Sequence, residues 1–308
     1  MAKESPVAVR ATAGRVFFSA GYSRGRQFGG VTGLNEDSRT MERRVDHAIA
    51  RLRALRESDL AALDLVSYGQ AAVGPLGKFL FTREPGGLFQ ARRQAVEILA
   101  ALGAKEILIN FLAHPRVVAD PVEQAGEDAV ISAVAQALTP WQSDEVFSLL
   151  LEAADRKLLA GIVAALGEYG REDAMPVFAA ALGEDFCRAA GEEAFRKMGA
   201  CTCPYLLQLA DCRTPSPDDE CESSRRRRRS ALGLFGELYQ GGALPGVVRS
   251  LVADTDSRVA AGACGICLPR VSPAEREKVA ARLVDLLAGC DLVLRAEIED
   301  LLVQNHAG

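Results

Sequence analysis

The feature that constrains this chain most is a helical hairpin that recurs with the same punctuation. "LVSYGQAAVGPLGKFL" (65–80) and "ALGEYGREDAMPVFAAAL" (165–182) each run an apolar helix into Tyr-Gly. Six residues later each reaches a proline, Pro75 after Gly69 and Pro176 after Gly170. "FRKMGACTCPYLLQLAD" (195–211) shortens the link by one residue, to Pro204, and "LFGELYQGGALPGVVRSLVAD" (234–254) varies it again before Pro245. Glycine ends a helix well because it tolerates a left-handed conformation. Proline opens one well because its missing N–H falls among those a first turn leaves unbonded. Each hairpin is apolar on both helices, cannot bury itself alone, and must stack on neighbours.

The helical pattern sets in at Met41. "MERRVDHAIARLRALRES" places Val45, Ala48, Ile49, Leu52 and Leu55 on one stripe at three- and four-residue steps, with polar residues opposite. About seven units follow, near 59–82, 88–113, 121–153, 155–182, 184–212, 222–253 and 255–288, with a capping helix at 291–303. No alternating β-branched run interrupts them, so a βαβ reading fails. Hydrophobic residues make up 49% and aromatics only 6%, the balance drawn from Ala, Leu and Val. Such a composition suits closely stacked helices whose small side chains let backbones approach.

These hairpins resemble the HEAT-like repeat family, including the variety named after phycobilisome lyases. The Gly-to-Pro punctuation carries the resemblance, together with openings such as Asp291-Leu-Val-Leu294-Arg295 and, in part, Asp256-Ser-Arg-Val259. "AVEILAALGAKEILINFL" (95–112) fits the helix-turn-helix length without the proline. The resemblance covers about 85% of the chain and implies an all-α, right-handed α-α superhelix, a solenoid of about seven hairpins. It assigns structural roles to Gly69, Pro75, Gly170, Pro176, Pro204, Pro245, Asp291 and Arg295. It is specific for architecture and says little about chemistry.

Residues 1–40 read differently. "VAVRATAGRVFFSAGYSRGRQFGGVTG" is rich in Gly, Arg and Ser and has no helical period, so this segment reads as a basic N-terminal arm ahead of the 41–308 stack. Residues 1–57 hold eleven Lys/Arg and six Asp/Glu, a charge of +5; the remainder holds 36 − 11 = 25 basic and 41 − 6 = 35 acidic residues, a charge of −10. Phe17, Phe18 and Tyr22 among arginines, Arg15 included, are candidate partner contacts, because aromatics and Arg anchor interfaces. They serve equally to cover an open first repeat.

"CESSRRRRRSALGLFGELYQ" (221–240) carries five consecutive arginines. At about 100° per residue they span the whole circumference of a helix, so a packed helix cannot expose all five. With Ala231, Leu234, Phe235 and Leu238 on the core face, Arg228 falls on that face too. It reads as structural, reaching a carbonyl or carboxylate at the repeat junction. Arg225, Arg226, Arg227 and Arg229 are then exposed, or precede the helix in the polar insertion loop at 211–224, and stand as partner-binding candidates. That loop supplies Asp218, Asp219, Glu220 and Glu222, so the run is partly neutralised by its own neighbours. Nucleic acid is disfavoured, since phosphate binding needs a stripe of cations and the body is acidic.

The chain has eight cysteines, all between Cys187 and Cys290. Cys201 and Cys203 are parted from Cys212 by a helix of about 10 Å at 1.5 Å per residue, which Zn–S bonds of about 2.3 Å cannot bridge. Cys187, Cys212 and Cys221 remain a possible metal trio, and buried thiols in place of alanine are the plainer reading. Cys264-Gly-Ile-Cys267 lies within a helical pattern, with no strand before it as a redox motif needs. None of His47, His114 and His306 adjoins a glutamate, so the repeated His-Glu pairs that some HEAT-repeat hydroxylases use for two irons are absent. No phosphate loop or serine elbow appears.

The sequence therefore reads as a non-catalytic scaffold or adaptor, a cytoplasmic complex subunit without cofactor or membrane span, binding a protein partner through the stack or the arm. The alternatives are a chromophore-lyase-like or other HEAT-repeat enzyme, and a nucleic-acid binder acting through the arginine run.

Overall fold

A computed structural model describes residues 33–54, 56–83, 89–216 and 218–307, and side chains between residues 39 and 303 of these. Contacts divide the chain into two units, residues 1–40 and 41–308. The fold described below is that of the second.

The chain is an all-α solenoid, and among the described residues there is no strand. Helix α1 (Gly33–Arg51) is followed by seven hairpins: α2 (Ser58–Ser67) with α3 (Gln70–Leu80), α4 (Gln90–Ala101) with α5 (Lys105–Ala113), α6 (Pro121–Ala137) with α7 (Asp144–Arg156), α8 (Ala160–Gly167) with α9 (Met175–Leu182), α10 (Arg188–Met198) with α11 (Cys203–Asp211), α12 (Glu222–Leu238) with α13 (Gly246–Leu251), and α14 (Ser257–Cys267) with α15 (Pro273–Leu287). A single helix, α16 (Leu292–Ala307), follows. Helix α1 begins eight residues ahead of Met41, where the apolar stripe placed it, since "GLNEDSRT" carries no helical period to mark the earlier start. The first helices of successive hairpins pack in one continuous layer from α2 through α16, and of the second helices α5 packs on α7 and α11 on α13.

The punctuation has a local cause. Gly69, Gly103, Gly170 and Gly199 all adopt positive φ, between 57° and 79°, at the turn inside a hairpin. That region is costly for side-chain-bearing residues, and glycine lets the chain reverse in few residues. Pro176 and Pro204 stand in the first turn of α9 and α11, each after a short 3-10 turn, and Pro245 directly precedes α13. Pro75 departs from the expected opening position, since α3 starts at Gln70 and the proline lies inside it. The reason is the lead-in. Ala71 and Ala72 bond to Tyr68 and Gly69 in three-residue, 3-10-type steps that run straight on into α3, so no separate 3-10 turn stands before the helix as at Pro176 and Pro204.

Packing is tightest where small residues meet. A side chain on Gly161 of α8 would lie 2.5 Å from both Cβ and the carbonyl oxygen of Ser132 in α6. Larger residues fill the space between the layers: Leu65, Leu99, Leu112, Leu150, Phe178, Phe195 and Phe235 are fully buried. Each such side chain contributes about 1.5–3 kcal/mol of burial.

Cys264 and Cys267 are buried in α14, on its core face. Burial pushes the Cys264 thiol up to about 12. A thiolate is the reactive species, so these two are inert. Native alkylation followed by peptide mass spectrometry should label exposed Cys201, Cys212 and Cys221 within minutes and spare Cys264 and Cys267 until denaturant is added. Rapid labelling of either would contradict the packing of α14.

Candidate functional site

All five arginines of the run lie in helix α12, which begins at Glu222, ahead of them. The expectation that four are simply exposed, or precede the helix, needs correction. Arg228 is fully buried. Its Nε donates to the Ala210 carbonyl at 2.7 Å, Nη1 donates to Glu220 at 3.1 Å, and Nη2 donates to Asp254. Arg226 pairs with Asp185 ahead of α10, Arg227 donates to Thr214 Oγ1 at 3.0 Å, and Arg229 donates to both oxygens of Asp256. Only Arg225 is left largely in solvent, with a long 3.8 Å contact to Glu222. Carboxylates of the preceding and following hairpins thus neutralise the run along with its own loop.

That loop is shorter than the polar stretch suggests, spanning 212–221, and it is tied to the stack. Cys221 N donates to the Thr214 carbonyl at 3.0 Å, and Ser224 Oγ accepts from Thr214 N and donates to Glu220. Arg213 reaches Asp254 at 2.8 Å.

The capping aspartates of the next two first helices continue the pattern. Asp256 accepts the N–H groups of Arg258 and Val259 at 3.0 Å, capping α14, while Arg229 holds its outer side. Asp291 accepts those of Val293 and Leu294, capping α16, while Arg258 holds it at 2.9 Å. Burial pushes Asp256 up, but the Arg229 guanidinium and the backbone donors outweigh it and keep this carboxyl below the usual range. The backbone bond from Leu294, aided by Arg258, does the same for Asp291. Arg295, one turn into α16, donates to the Leu287 carbonyl at 3.4 Å.

Together these ends of α12, α14 and α16 enclose an open cleft of about 630 Å³. Arg225, Arg229 and Arg258 face Asp218, Glu220, Asp256 and Asp291 across it, with Thr255, Ser257 and Cys290 between them. The lining is thus nearly balanced, three guanidiniums against four carboxylates. Arg229 and Arg258 are largely committed to the capping aspartates, whereas Arg225, Asp218 and Thr255 are exposed and free to meet a solute.

The other sequence candidates do not converge here. Arg15, Phe17, Phe18 and Tyr22 lie outside the described residues. Cys187 is buried against the Leu158 carbonyl, while Cys212 and Cys221 are exposed at the two ends of their loop. Among the described residues no three His, Cys, Asp or Glu side chains gather as a metal site, so that trio is not assembled. No described helix is long and apolar enough to cross a membrane.

Sequence reasoning missed one pair of the same kind as Arg228 and Asp254. Arg92 and Glu127, 3% and 1% exposed, form a two-pronged ion pair at 2.6 and 2.9 Å between α4 and α6, and Arg92 Nε also donates to the Leu80 carbonyl. The signal was present: Arg92 precedes buried Leu99 by seven residues, as Arg228 precedes Phe235.

No protein-family model and no curated protein matches the sequence. Among solved structures, the chain is similar to human deoxyhypusine hydroxylase in complex with glycerol, at 16% identity and a TM-score of 0.32, over 89% of this chain and all of that one. That neighbour is an enzyme, whereas the sequence alone led to the expectation of a non-catalytic scaffold, which is not carried further.

Proposed function

We propose that this chain is a HEAT-like repeat enzyme whose substrate is a small molecule carrying both an anionic and a cationic group, bound in the Arg225–Asp291 cleft. The observation behind this reading is the composition of the cleft. One exposed guanidinium and two exposed carboxylates, Asp218 and Asp291, line a cavity large enough for a metabolite, beside two hydroxyls and a thiol. Arg225 is the anion anchor, because its fork of donors suits a carboxylate or phosphate and is the least committed of the three. Asp218 and Asp291 face the cationic end. Thr255, Ser257 and Cys290 are the hydroxyl and thiol groups of the cleft able to bond to, or attack, a bound molecule.

A panel of amino acids and short peptides, screened by thermal denaturation, tests this. At least one member should raise the melting temperature, and Arg225→Ala should abolish that shift while leaving the unliganded protein unchanged. Arg225 makes no short contact, so its loss costs within about 0.5 kcal/mol of stability. Incubation of the shifting compound with the protein, followed by mass spectrometry, then reads turnover. The proposal fails if no panel member shifts the transition, or if the shift survives in Arg225→Ala.

A further inference from the structure

A second cavity shares no lining residue with the Arg225 cleft and has the opposite character. It is about 320 Å³ in volume and sits where the link after α5, the body of α6, the end of α7 and the start of α8 meet. Its walls are apolar: Leu112, Val118, Ile131 and Ile162 form them, and Val117, 89% exposed, stands at the edge. Polar groups are a minority of the lining, Gln124 among them. Arg116, Arg156 and Lys157 lie there with a single carboxylate, Asp128. Three cations against one anion leave the cavity +2, on a chain whose total is −5.

The cations are anchored but not exhausted. Arg116 donates Nη2 to the Phe81 carbonyl at 2.7 Å, and Arg156 donates Nη2 to the Leu112 carbonyl at 2.9 Å. A guanidinium has five N–H donors, so each keeps several for another acceptor. Lys157 pairs with Asp128 at 2.7 Å, which leaves the two arginines as the local excess charge. An apolar recess of this volume with a few polar groups in its lining has the form of a small-ligand site.

We propose that this cavity binds a small amphipathic anion, a short hydrocarbon tail ending in a carboxylate. The tail lies between Leu112, Ile131 and Ile162, where burial of its methylenes supplies the attraction. The carboxylate meets Arg116 and Arg156 at the mouth, where two-pronged bonds are available. A neutral molecule of the same length gains the first contribution and not the second. This site is independent of the Arg225 cleft: it shares no residue with it, and it stands or falls separately.

Octanoate and 1-octanol are the probes, titrated by calorimetry into the full-length protein and its variants. Octanoate should bind saturably, and octanol at least about tenfold more weakly. Val117→Glu places a carboxylate at the mouth, and a like charge about 6 Å away at intermediate dielectric weakens the anion roughly tenfold. Val117→Lys removes the same apolar side chain and should keep octanoate affinity within about twofold. Both substitutions are at an exposed position, and matching circular dichroism spectra check that the fold is kept. Arg225→Ala should leave octanoate binding unchanged. Equal affinity for octanol and octanoate, equal affinity in the Glu and Lys variants, or no saturable binding overturns the proposal.

Discussion

Arg228→Met is expected to destabilise the protein by about 3–5 kcal/mol at neutral pH, the usual cost of removing one partner from a buried ion pair. Arg228 has no exposed surface, and its partners Asp254 and Glu220 keep 2% and 5% of their side-chain surface. Methionine fills much of the space but offers no donor. Asp254 then retains Arg213, at the edge of the site, and the Asp256 backbone N–H. The pH dependence carries its own sign. Burial pushes Asp254 up, yet Arg228, the Asp256 N–H and Arg213 together hold it below its ordinary value. In the wild type this carboxyl adds stability above the unfolded pKa of about 3.9, and that stability is lost as pH falls through the lower folded value. In Arg228→Met the main opposing influence is gone, so burial dominates and protonation relieves an uncompensated charge. The difference between the proteins should therefore be largest at pH 7 and shrink toward pH 4, read by urea unfolding at both. Arg228→Met/Asp254→Asn should be less destabilised than the sum of its single variants, with a coupling of about 1–3 kcal/mol. A loss at pH 7 below about 1 kcal/mol, or one that does not vary with pH, means that Arg228 only fills space.

The contrast between Arg228 and its neighbours shows what could be read in the sequence. Helical periodicity places Arg228 on the core face because that face is defined by four apolar residues over the next three turns, all within the same helix. What it bonds to depends on Asp254, 26 residues away, and Glu220, which the loop folds back. Such partners are set by the angle between successive hairpins, which no local pattern encodes. The same limit explains Arg92 and Glu127, 35 residues apart. The hairpin boundaries were legible for the converse reason: Gly69, Gly170 and Gly199 mark turns through their own backbone freedom. The cleft at Arg225 was only half legible, since Asp256 and Asp291 could be read as helix openers but not as two walls of one cavity. The apolar recess under Val117 left no trace in periodicity, because its lining comes from four helices and the links between them.

Gly161→Ala, a single added methyl, is expected to cost about 3 kcal/mol, nearly as much as losing the buried arginine. Alanine is ordinarily the better helix former by about 0.5–1 kcal/mol. Space decides the sign here. The new Cβ falls 2.5 Å from the carbonyl oxygen of Ser132 and 2.6 Å from its Cα, and neither can swing aside as a side-chain tip can. Relief requires α6 and α8 to separate, and these are consecutive first helices in the layer on which the whole stack rests. Gly233→Ala in α12 provides the control. Nothing lies within 4 Å of a Cβ at that position, so the helix-propensity gain should appear undiminished, as a stabilisation of about 0.5–1 kcal/mol. Adding Ser132→Gly to Gly161→Ala removes the Cβ clash and leaves the two backbone contacts, so it should recover little. Full recovery in that double variant would place the limit in the serine side chain. A near-neutral Gly161→Ala would instead mean that the two helices have room to part, and that close approach of small residues is not what sets the spacing of this layer.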